Sequence, residues 1–318
     1  MQRKIKSLIL STILILVIIV GCIEDLSNVE NNITIKGKDG FYSTIMSAIN
    51  KSSDGDTILV NKGIYNETLT IDKSITLIGE NKNTTIISGN KSGDVIYIAA
   101  DFVKISGFTI NNSGDEYSYG VDAGIDIRSD NNLISDNIIG PNGNYGLYLY
   151  QQSKNNTIIN NIITENRFGM YLNYANENNI SSNTFSLNAD NGIYLGSQSR
   201  DNLISKNIIT KNKQGTRIKG SEDNKVTQNL FINNNRGMYF CCGARNNIVF
   251  LNDFINNSEW NGNDGNINKW DYNKLGNYWD DYNGSDSNGD GIGDTPYEIS
   301  INDKRDNYPL MESYENYI

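Results

Sequence analysis

Aromatic side chains recur at one position of a repeated pattern in this 318-residue chain. The row lies beside a series of repeated glycines and consists of Tyr97, Asp126, Tyr148, Tyr171, Tyr194, Arg217 and Tyr239. If the strands that carry them pair about 4.8 Å apart, the side chains form one continuous row on one face. Flat rings with polar tips suit sugar rings, which predicts a ligand-binding surface for a glycan. The alternative is stacking for stability under covering loops.

Three charged residues on one strand are candidates for catalysis. Asp122, Asp126 and Arg128 alternate along the chain and are expected to face outward together. A hydrolase that acts on glycosidic bonds needs two carboxyl groups about 5–9.5 Å apart. No acidic pair recurs on the neighbouring repeats, so the pattern favours binding over catalysis.

An acidic loop near the C-terminus has the spacing of a calcium site. Its predicted ligands are Asp286, Asn288, Asp290, Ile292 through its carbonyl, and Asp294. Oxygen donors at positions 1, 3, 5 and 9, with glycine at position 6, match an EF-hand-like loop. Tyr297 stands where that loop has its bidentate glutamate, although Glu298 is adjacent. The sequence predicts Ca²⁺ here, and a solvated acidic turn is the alternative.

The chain contains no histidine. This excludes Ser-His-Asp and Cys-His nucleophilic centres and weighs against a Cu(II) site. Copper could meet soft donors at Cys241, Cys242, Met170 and Met238, but copper is the less favoured cofactor. Without copper, we expect Met238 to point inward, Cys242 to pack and Cys241 to present an exposed thiol.

Two repeats with the same period predict the fold. Asparagines precede apolar pairs at Asn137, Asn161, Asn183, Asn207, Asn229 and Asn252. Glycines begin alternating strands at Gly124, Gly146, Gly169, Gly192, Gly215 and Gly237. A period of about 23 residues, with short strands and no helical pattern, predicts an all-β right-handed parallel β-helix with one repeat per turn. The asparagines should form a ladder of hydrogen-bonded amides along the axis.

The N-terminus has the features of a lipoprotein signal. Basic residues at Arg3, Lys4 and Lys6 precede an apolar run of about 13 residues, which is shorter than the roughly 17–25 of a spanning helix. Gly21-Cys22 follows and resembles a lipidation site. We therefore expect secretion and lipid attachment at Cys22 on the outer face of the cytoplasmic membrane, with an uncleaved signal anchor as the alternative.

The chain divides into a signal peptide (1–21), a lipid-anchored tether (22–35), an N-terminal cap (36–57), a parallel β-helix (58–257) and a C-terminal cap (258–318). Phe41, Ile45, Ala48 and Ile49 have helical spacing and predict a short helix in the first cap. Such a helix would close the open end of the solenoid. An insertion at 111–121, with Tyr117 and Tyr119, is expected to project as a loop.

The formal net charge of −10 makes nucleic acid an unsuitable partner. Removal of the leader, with its three basic residues, leaves the rest of the chain still more acidic. The sequence therefore favours glycans and proteins as ligands.

Segments at both ends of the folded region resemble a known family. Residues 44–79 resemble the first coils of pectin-lyase-like β-helices. The asparagine repeats and the endings Gly276-Asn277-Tyr278-Trp279-Asp280-Asp281-Tyr282 and Asp306-Asn307-Tyr308-Pro309-Leu310 resemble the NosD-type and carbohydrate-binding/sugar-hydrolase (CASH) β-helix proteins. Together they cover nearly the whole chain beyond residue 40.

The resemblance implies the fold more strongly than the function, because one fold serves many activities. Similar polysaccharide lyases hold calcium with acidic residues and use Arg or Lys as a base, which implies roles for Asp126 and Arg128. NosD proteins proper are linked to copper-site maturation in the periplasm. We expect a non-catalytic surface protein that binds an extracellular glycan or another surface protein. A calcium-dependent lyase or hydrolase and a copper accessory protein are the alternatives.

Overall fold

The computed structural model describes residues 32–116, 121–151, 153–300 and 304–318. These residues form many short strands, one α-helix, α1 (Ile45–Lys51), and one 3-10 turn (Tyr314–Tyr317). The strands in the first half are β1 (Ile33–Ile35), β2 (Thr57–Val60), β3 (Gly63–Asn66), β4 (Leu69–Ile71), β5 (Thr76–Gly79), β6 (Thr85–Ser88), β7 (Ile96–Ile98), β8 (Lys104–Ser106), β9 (Thr109–Asn111), β10 (Ala123–Ile127), β11 (Leu133–Ser135), β12 (Ile138–Ile139), β13 (Tyr145–Tyr150), β14 (Thr157–Ile159), β15 (Ile162–Thr164) and β16 (Phe168–Asn173). Those in the second half are β17 (Asn179–Ser181), β18 (Thr184–Ser186), β19 (Asn191–Leu195), β20 (Leu203–Ser205), β21 (Ile208–Thr210), β22 (Gln214–Lys219), β23 (Lys225–Thr227), β24 (Leu230–Ile232), β25 (Arg236–Cys241), β26 (Arg245–Phe250), β27 (Asp253–Ile255), β28 (Trp260–Asp264), β29 (Ile267–Lys269), β30 (Tyr278–Trp279), β31 (Tyr297–Ser300) and β32 (Lys304–Asp306).

Successive strands pass in turn to three long sheets. The first sheet has the order β1-β2-β5-β8-β11-β14-β17-β20-β23-β26-β29, the second β3-β6-β9-β12-β15-β18-β21-β24-β27-β30, and the third β4-β7-β10-β13-β16-β19-β22-β25-β28. Except for the antiparallel pair β1-β2, neighbouring strands in these sheets are parallel and come from consecutive turns. The predicted right-handed parallel β-helix is confirmed, with about nine turns of about 23 residues.

Inward residues of the strands stack on one another through the centre of the helix. In the first sheet, Ile134 pairs with Ile158, and Ile158 with Ile180. All three side chains are fully buried. Since burial of one such side chain contributes about 1.5–3 kcal/mol, a single aligned column of isoleucines stabilises the coils strongly.

Three asparagine ladders run along the corners of the β-helix. The predicted ladder is confirmed and continues from Asn137 to Asn277, each Nδ2 donating to the Oδ1 of the next coil at 2.8–3.2 Å. Two further ladders run from Asn132 to Asn268 and from Asn142 to Asn257. Their amides also bond to buried backbone groups, which satisfies polar atoms that would otherwise be costly.

At most corners a left-handed residue precedes a ladder asparagine, although Asn142 follows Pro141. In one coil these pairs are Asp201–Asn202, Lys206–Asn207 and Lys211–Asn212, whose first members have φ of 55°, 57° and 57°. The left-handed residue turns the chain, and the asparagine side chain then bonds to the backbone at the bend. A corner of two residues leaves room for three strands in a coil of about 23 residues.

The N-terminal end is closed by α1. Thr44 and Ser47 form a capping box, and the Glu67 carboxylate accepts from the Ile45 and Met46 N–H groups at 2.9 and 3.0 Å. Ile45, Ala48 and Ile49 are buried as predicted. Phe41, predicted to belong to the helical pattern, instead precedes the helix with 72% of its surface exposed, because the capping box starts the helix at Ile45.

Aromatic residues close the other end. Trp279 stacks on Phe254 at 4.4 Å between ring centroids and on Tyr297 at 4.2 Å. The domain boundaries stay a prediction; in the structure a strand begins at Ile33 and the second sheet continues to Trp279. The predicted signal peptide, Cys22, Tyr117 and Tyr119 lie outside the described residues. Among the residues that are described, no helix has the length and apolar character to cross a membrane.

Candidate functional site

The candidate site lies on the outer face of the third sheet. Strand pairing places the seven row residues, Tyr97, Asp126, Tyr148, Tyr171, Tyr194, Arg217 and Tyr239, in register on consecutive coils. The row arises because each coil repeats the same number of residues between its glycine and its outward side chain. The row therefore runs parallel to the axis of the β-helix, with one of these side chains on each of seven consecutive coils.

The tyrosine rings of the central coils stack on one another. Tyr171 and Tyr194 lie 4.7 Å apart between centroids with an interplanar angle of 11°, and Tyr148 lies 5.3 Å from Tyr171. Phe168 and Tyr145, which come from the adjacent outer row, stack at 5.0 Å. These contacts hold the rings in fixed orientations, which lowers the conformational entropy lost when a ligand binds.

The members of the row differ in exposure. Asp126 is 2% exposed and Tyr148 is 3% exposed, because Tyr145, Tyr150 and the Arg128 guanidinium pack around them. An exposed side chain at these two positions was the wrong expectation. The remaining tyrosines and Arg217 are partly exposed. We call Tyr171, Tyr194, Arg217 and Tyr239 the aromatic strip.

Glycines leave the space on this face of the sheet that the tyrosine rings occupy. A Cβ atom at Gly196 would lie 2.6 Å from the Tyr171 ring, so this ring rests on the bare backbone of the next coil. A Cβ at Gly169 would lie 2.4 Å from the Gly192 carbonyl oxygen. The repeated glycine is therefore required by the close approach of consecutive coils.

Arg217 lies between two tyrosines. Its guanidinium carbon is 5.4 Å from the Tyr194 centroid and 5.8 Å from the Tyr239 centroid. Its Nη2 donates to the Cys241 sulfur at 3.5 Å. This contact buries Cys241, while Cys242 turns outward with φ of 59°. The prediction of an exposed Cys241 and a packed Cys242 is therefore wrong.

The predicted catalytic residues form an ion pair. Arg128 donates from Nε and Nη2 to the two carboxylate oxygens of Asp126 at 2.7 and 2.8 Å. Burial raises the pKa of Asp126 although Arg128 opposes the shift. Asp122 does not join this ion pair; its carboxylate accepts from the Glu116 N–H at 3.0 Å. An arginine that holds both oxygens leaves Asp126 poorly placed to act as a base.

Sequence reasoning missed Asp94, which lies on the coil before Asp126. Its Oδ1 accepts from the Ala123 N–H at 2.8 Å. Burial, aided by the Asp126 charge, raises the pKa of Asp94 to about 7. The insertion at 111–121 separates these bonded residues by 29 positions and hides their alignment from a 23-residue period.

The acidic loop is folded by its own carboxylates. Asp286 accepts from the Gly289 and Gly291 N–H groups at 2.8 Å each, and Asp290 accepts from Ile292 at 2.9 Å. Asp294 accepts from the Ser287 N–H at 2.8 Å, which helps lower its pKa. No group of three or more acidic or cysteine side chains in the described ranges is arranged to hold a metal ion. Calcium at Asp286, Asn288, Asp290, Ile292 and Asp294 stays a prediction.

The soft donors do not fit a copper site. Met170 and Met238 are fully buried in the hydrophobic core. Burial raises the pKa of the Cys241 thiol, which opposes the thiolate that binds Cu(I). Cys242 is the remaining exposed donor of the four, and the chain has no histidine. We derive no copper chemistry from this arrangement.

Several solved structures share the fold. The chain matches the Dettilon tailspike protein gp208 (15% identity, TM-score 0.53, 70% of this chain and 54% of that one). It also matches ORF18 of Geobacillus virus E2 (17%, 0.54, 80% and 63%) and the DFA-IIIase of Arthrobacter chlorophenolicus A6 (16%, 0.51, 65% and 61%). The chain thus spans between about half and two thirds of these proteins. At such identities the likeness concerns the fold alone.

No curated protein sequence matches the chain. A family model does match, under the description "Periplasmic copper-binding protein (NosD)", over residues 49–236 and 196–284. The two matches cover about three quarters of the chain and include every coil that carries the aromatic strip. With its parallel β-helix and its asparagine repeats, this protein belongs to the NosD family.

Proposed function

We propose that this protein binds a glycan outside the cytoplasm, without catalysis, through the aromatic strip. One observation carries the proposal: the parallel, partly exposed rings of Tyr171 and Tyr194, 4.7 Å apart on consecutive coils. The family is described as periplasmic, which agrees with a ligand outside the cytoplasm. Another surface protein is the alternative ligand for the same face.

Physical chemistry favours a sugar on this surface. Because the rings stack on one another, a sugar would lie across their outer edges, where its apolar face contacts the rings and its hydroxyl groups can bond to the phenolic tips. Consecutive coils repeat at about 4.8 Å, so the strip offers a series of similar positions to a polymeric ligand. Fixed rings lose little entropy on binding, so several weak contacts can add up to a useful affinity.

The test is a glycan array and polysaccharide pull-down with the chain that lacks its leader. Tyr194→Ala should weaken retention about tenfold, which corresponds to roughly 1.4 kcal/mol. Tyr272→Ala is the matched control, because Tyr272 is also exposed but contacts Phe250, away from the strip. Circular dichroism would show that both variants are folded. Unchanged retention by Tyr194→Ala would refute the proposed site.

A polysaccharide lyase or hydrolase is the second candidate. It is favoured by Asp94, whose pKa near 7 suits an acid or base at neutral pH, and by Asp126 on the next coil. The same assay wells should be examined for new reducing ends and for the ultraviolet absorbance of unsaturated uronic acids. Release of product that disappears in Asp94→Asn would replace the binding proposal with an enzymatic one.

We also propose that Cys22 carries a lipid that holds the protein on the outer face of the membrane. The support is the order of basic, apolar and cysteine residues in the leader. Cys22→Ser should move the protein from the membrane fraction to the soluble fraction. If the variant stays with the membrane, an uncleaved anchor explains the leader better.

A further inference from the structure

Arg217 lacks the carboxylate partner that several other arginines of the chain have. Arg128 is held by Asp126 at 2.7 Å, Arg236 by Glu259 at 2.6 Å, and Arg200 by Glu222 at 3.0 Å. Within the described part of the chain, Arg217 has no carboxylate within ion-pair distance. Arg217 therefore keeps a positive charge on this face, although the formal net charge of the protein is −10.

The surroundings of Arg217 hold its side chain in place without neutralising it. Tyr194 and Tyr239 flank the guanidinium, and its described hydrogen bond goes to the neutral sulfur of Cys241. Its Nε is buried and has no hydrogen-bond partner in the described structure. A guanidinium has five donors in one plane, so donors remain for an additional acceptor. Because the Arg217 side chain is partly exposed while its Nε is buried, a ligand would bond to the outer Nη donors rather than to Nε.

Arg217 is placed so that its remaining hydrogen-bond donors could reach the proposed ligand. Arg217 pairs in register with Tyr194, so the two side chains are neighbours on consecutive coils. A sugar that lies against the outer edge of the Tyr194 ring would bring the substituents of the next unit of the polymer to Arg217. The planar fork of arginine matches a carboxylate better than it matches a hydroxyl group.

Resting on the proposed glycan function, we infer that the aromatic strip is selective for anionic glycans and that Arg217 binds their uronic acid carboxylate. The tyrosines supply stacking that neutral and acidic sugars share. Arg217 supplies the discrimination, because its planar fork can bind a carboxylate in two charge-assisted hydrogen bonds that a methyl ester cannot provide. Affinity for the acidic form should fall with added salt, whereas stacking should change little.

The experiment compares one polymer in two charge states. Binding of polygalacturonate and of fully methyl-esterified polygalacturonate would be measured by affinity electrophoresis or calorimetry. The native protein should prefer the acidic form by about tenfold or more. Arg217→Gln should remove this preference, because it should lower the affinity for the acidic form about tenfold more than the affinity for the ester. Arg217→Lys should retain part of it, since lysine keeps the charge but not the planar fork.

Control variants separate this inference from the proposed function. Arg236→Gln should leave the preference intact, because Glu259 already pairs with Arg236. Tyr171→Ala should weaken both forms of the polymer equally, because the described ring contacts of Tyr171 are with other tyrosines. Equal binding of the two forms by native protein, or a preference that survives in Arg217→Gln, would overturn the inference while the glycan function stands. Failure of the native protein to bind any polysaccharide, acidic or neutral, would instead overturn the proposed function.

Discussion

At Gly196 the absence of a side chain determines where Tyr171 lies. The tyrosine ring occupies the space that a Cβ would need, 2.6 Å away. Tyr171 in turn stacks on Tyr194, and Tyr194 contacts Arg217. The geometry of the strip thus depends on small residues beside it as much as on the rings. A search for aromatic residues alone would not identify Gly196 as a positioning residue.

Gly196→Ala should displace the Tyr171 ring and weaken glycan binding about tenfold, since one stacked ring contributes on the order of 1 kcal/mol. The change in thermal stability should be small, because the tyrosine ring can turn towards solvent. Gly265→Ala is the control, as a Cβ there meets no atom within 4 Å. Affinity and melting temperature would be measured for both variants. Native affinity in Gly196→Ala would show that the ring position does not matter.

At the scale of the structural elements, the corners of the β-helix connect the strands that carry the strip. The ladder amides donate in one direction, from each coil to the next. At the last coils the final donors meet acidic acceptors: Asn268 donates to Asp264 at 3.1 Å and Asn277 to Asp306 at 3.3 Å. A carboxyl oxygen thus accepts at the donor end of these two ladders. The third ladder ends on an amide, since Asn257 donates to the Asn261 Oδ1 at 2.8 Å.

Asn234→Ala should destabilise the protein by about 3 kcal/mol. The substitution removes the partners of the Asn212 N–H and of the Ile209 carbonyl, and each unsatisfied buried group costs about 1–3 kcal/mol. Asn235→Ala is a control one residue away, with an exposed side chain and an expected change within about 0.5 kcal/mol. Urea unfolding would measure both free energies. Equal stability of the two variants would contradict a role for the ladder.

Calcium at the acidic loop is a prediction at the same scale. If the loop binds Ca²⁺, a chelator should lower the melting temperature by a few degrees, because a ligand bound only to the native state stabilises it. Asp290→Ala should abolish the calcium dependence. A melting curve that is identical with calcium and with chelator would eliminate the metal and leave an acidic turn held by its own hydrogen bonds.

At the scale of the whole molecule, the acidic net charge and the buried carboxyl groups both make the stability depend on pH. Burial raises the pKa of Asp306 to about 7, despite bonds from Asn277, Trp279 and Tyr308 that favour the ionised form. Asp94 has a similar pKa. Both groups hold a proton in the folded state over a range in which the unfolded chain has lost it. Folding is therefore linked to proton binding.

Stability should fall as the pH rises from about 4 to about 7. The native pKa values lie above the ordinary value of 3.8, so the contribution is complete below that value and is lost as the pH passes 7. Repulsion within an acidic chain acts in the same direction. The melting temperature measured from pH 4.5 to 8 should decline, and Asp306→Asn should reduce the slope. A melting temperature that increases over this range would contradict the assignment.

Much of the fold followed from two periodic signals. The isoleucines, the repeated glycines and one asparagine ladder were predictable, because every coil repeats the same contacts. The other two ladders were detectable in principle, since Asn156 and Asn166 recur with the same spacing as Asn161. Phe41 misled because helical spacing alone does not locate the first residue of a helix. The capping contacts of Thr44 and Glu67 do so.

The amino-acid sequence by itself determined the period, the inward and outward alternation, and therefore the row of tyrosines with Arg217 among them. Only the tertiary structure decided which members of that row are accessible, that Arg217 covers Cys241, and that Asp94 lies beside Asp126. The physical reason is that a repeat specifies contacts that are the same on every coil. Exposure, pKa and pairing of charges depend on contacts between unlike neighbours, and an insertion shifts those neighbours out of the period.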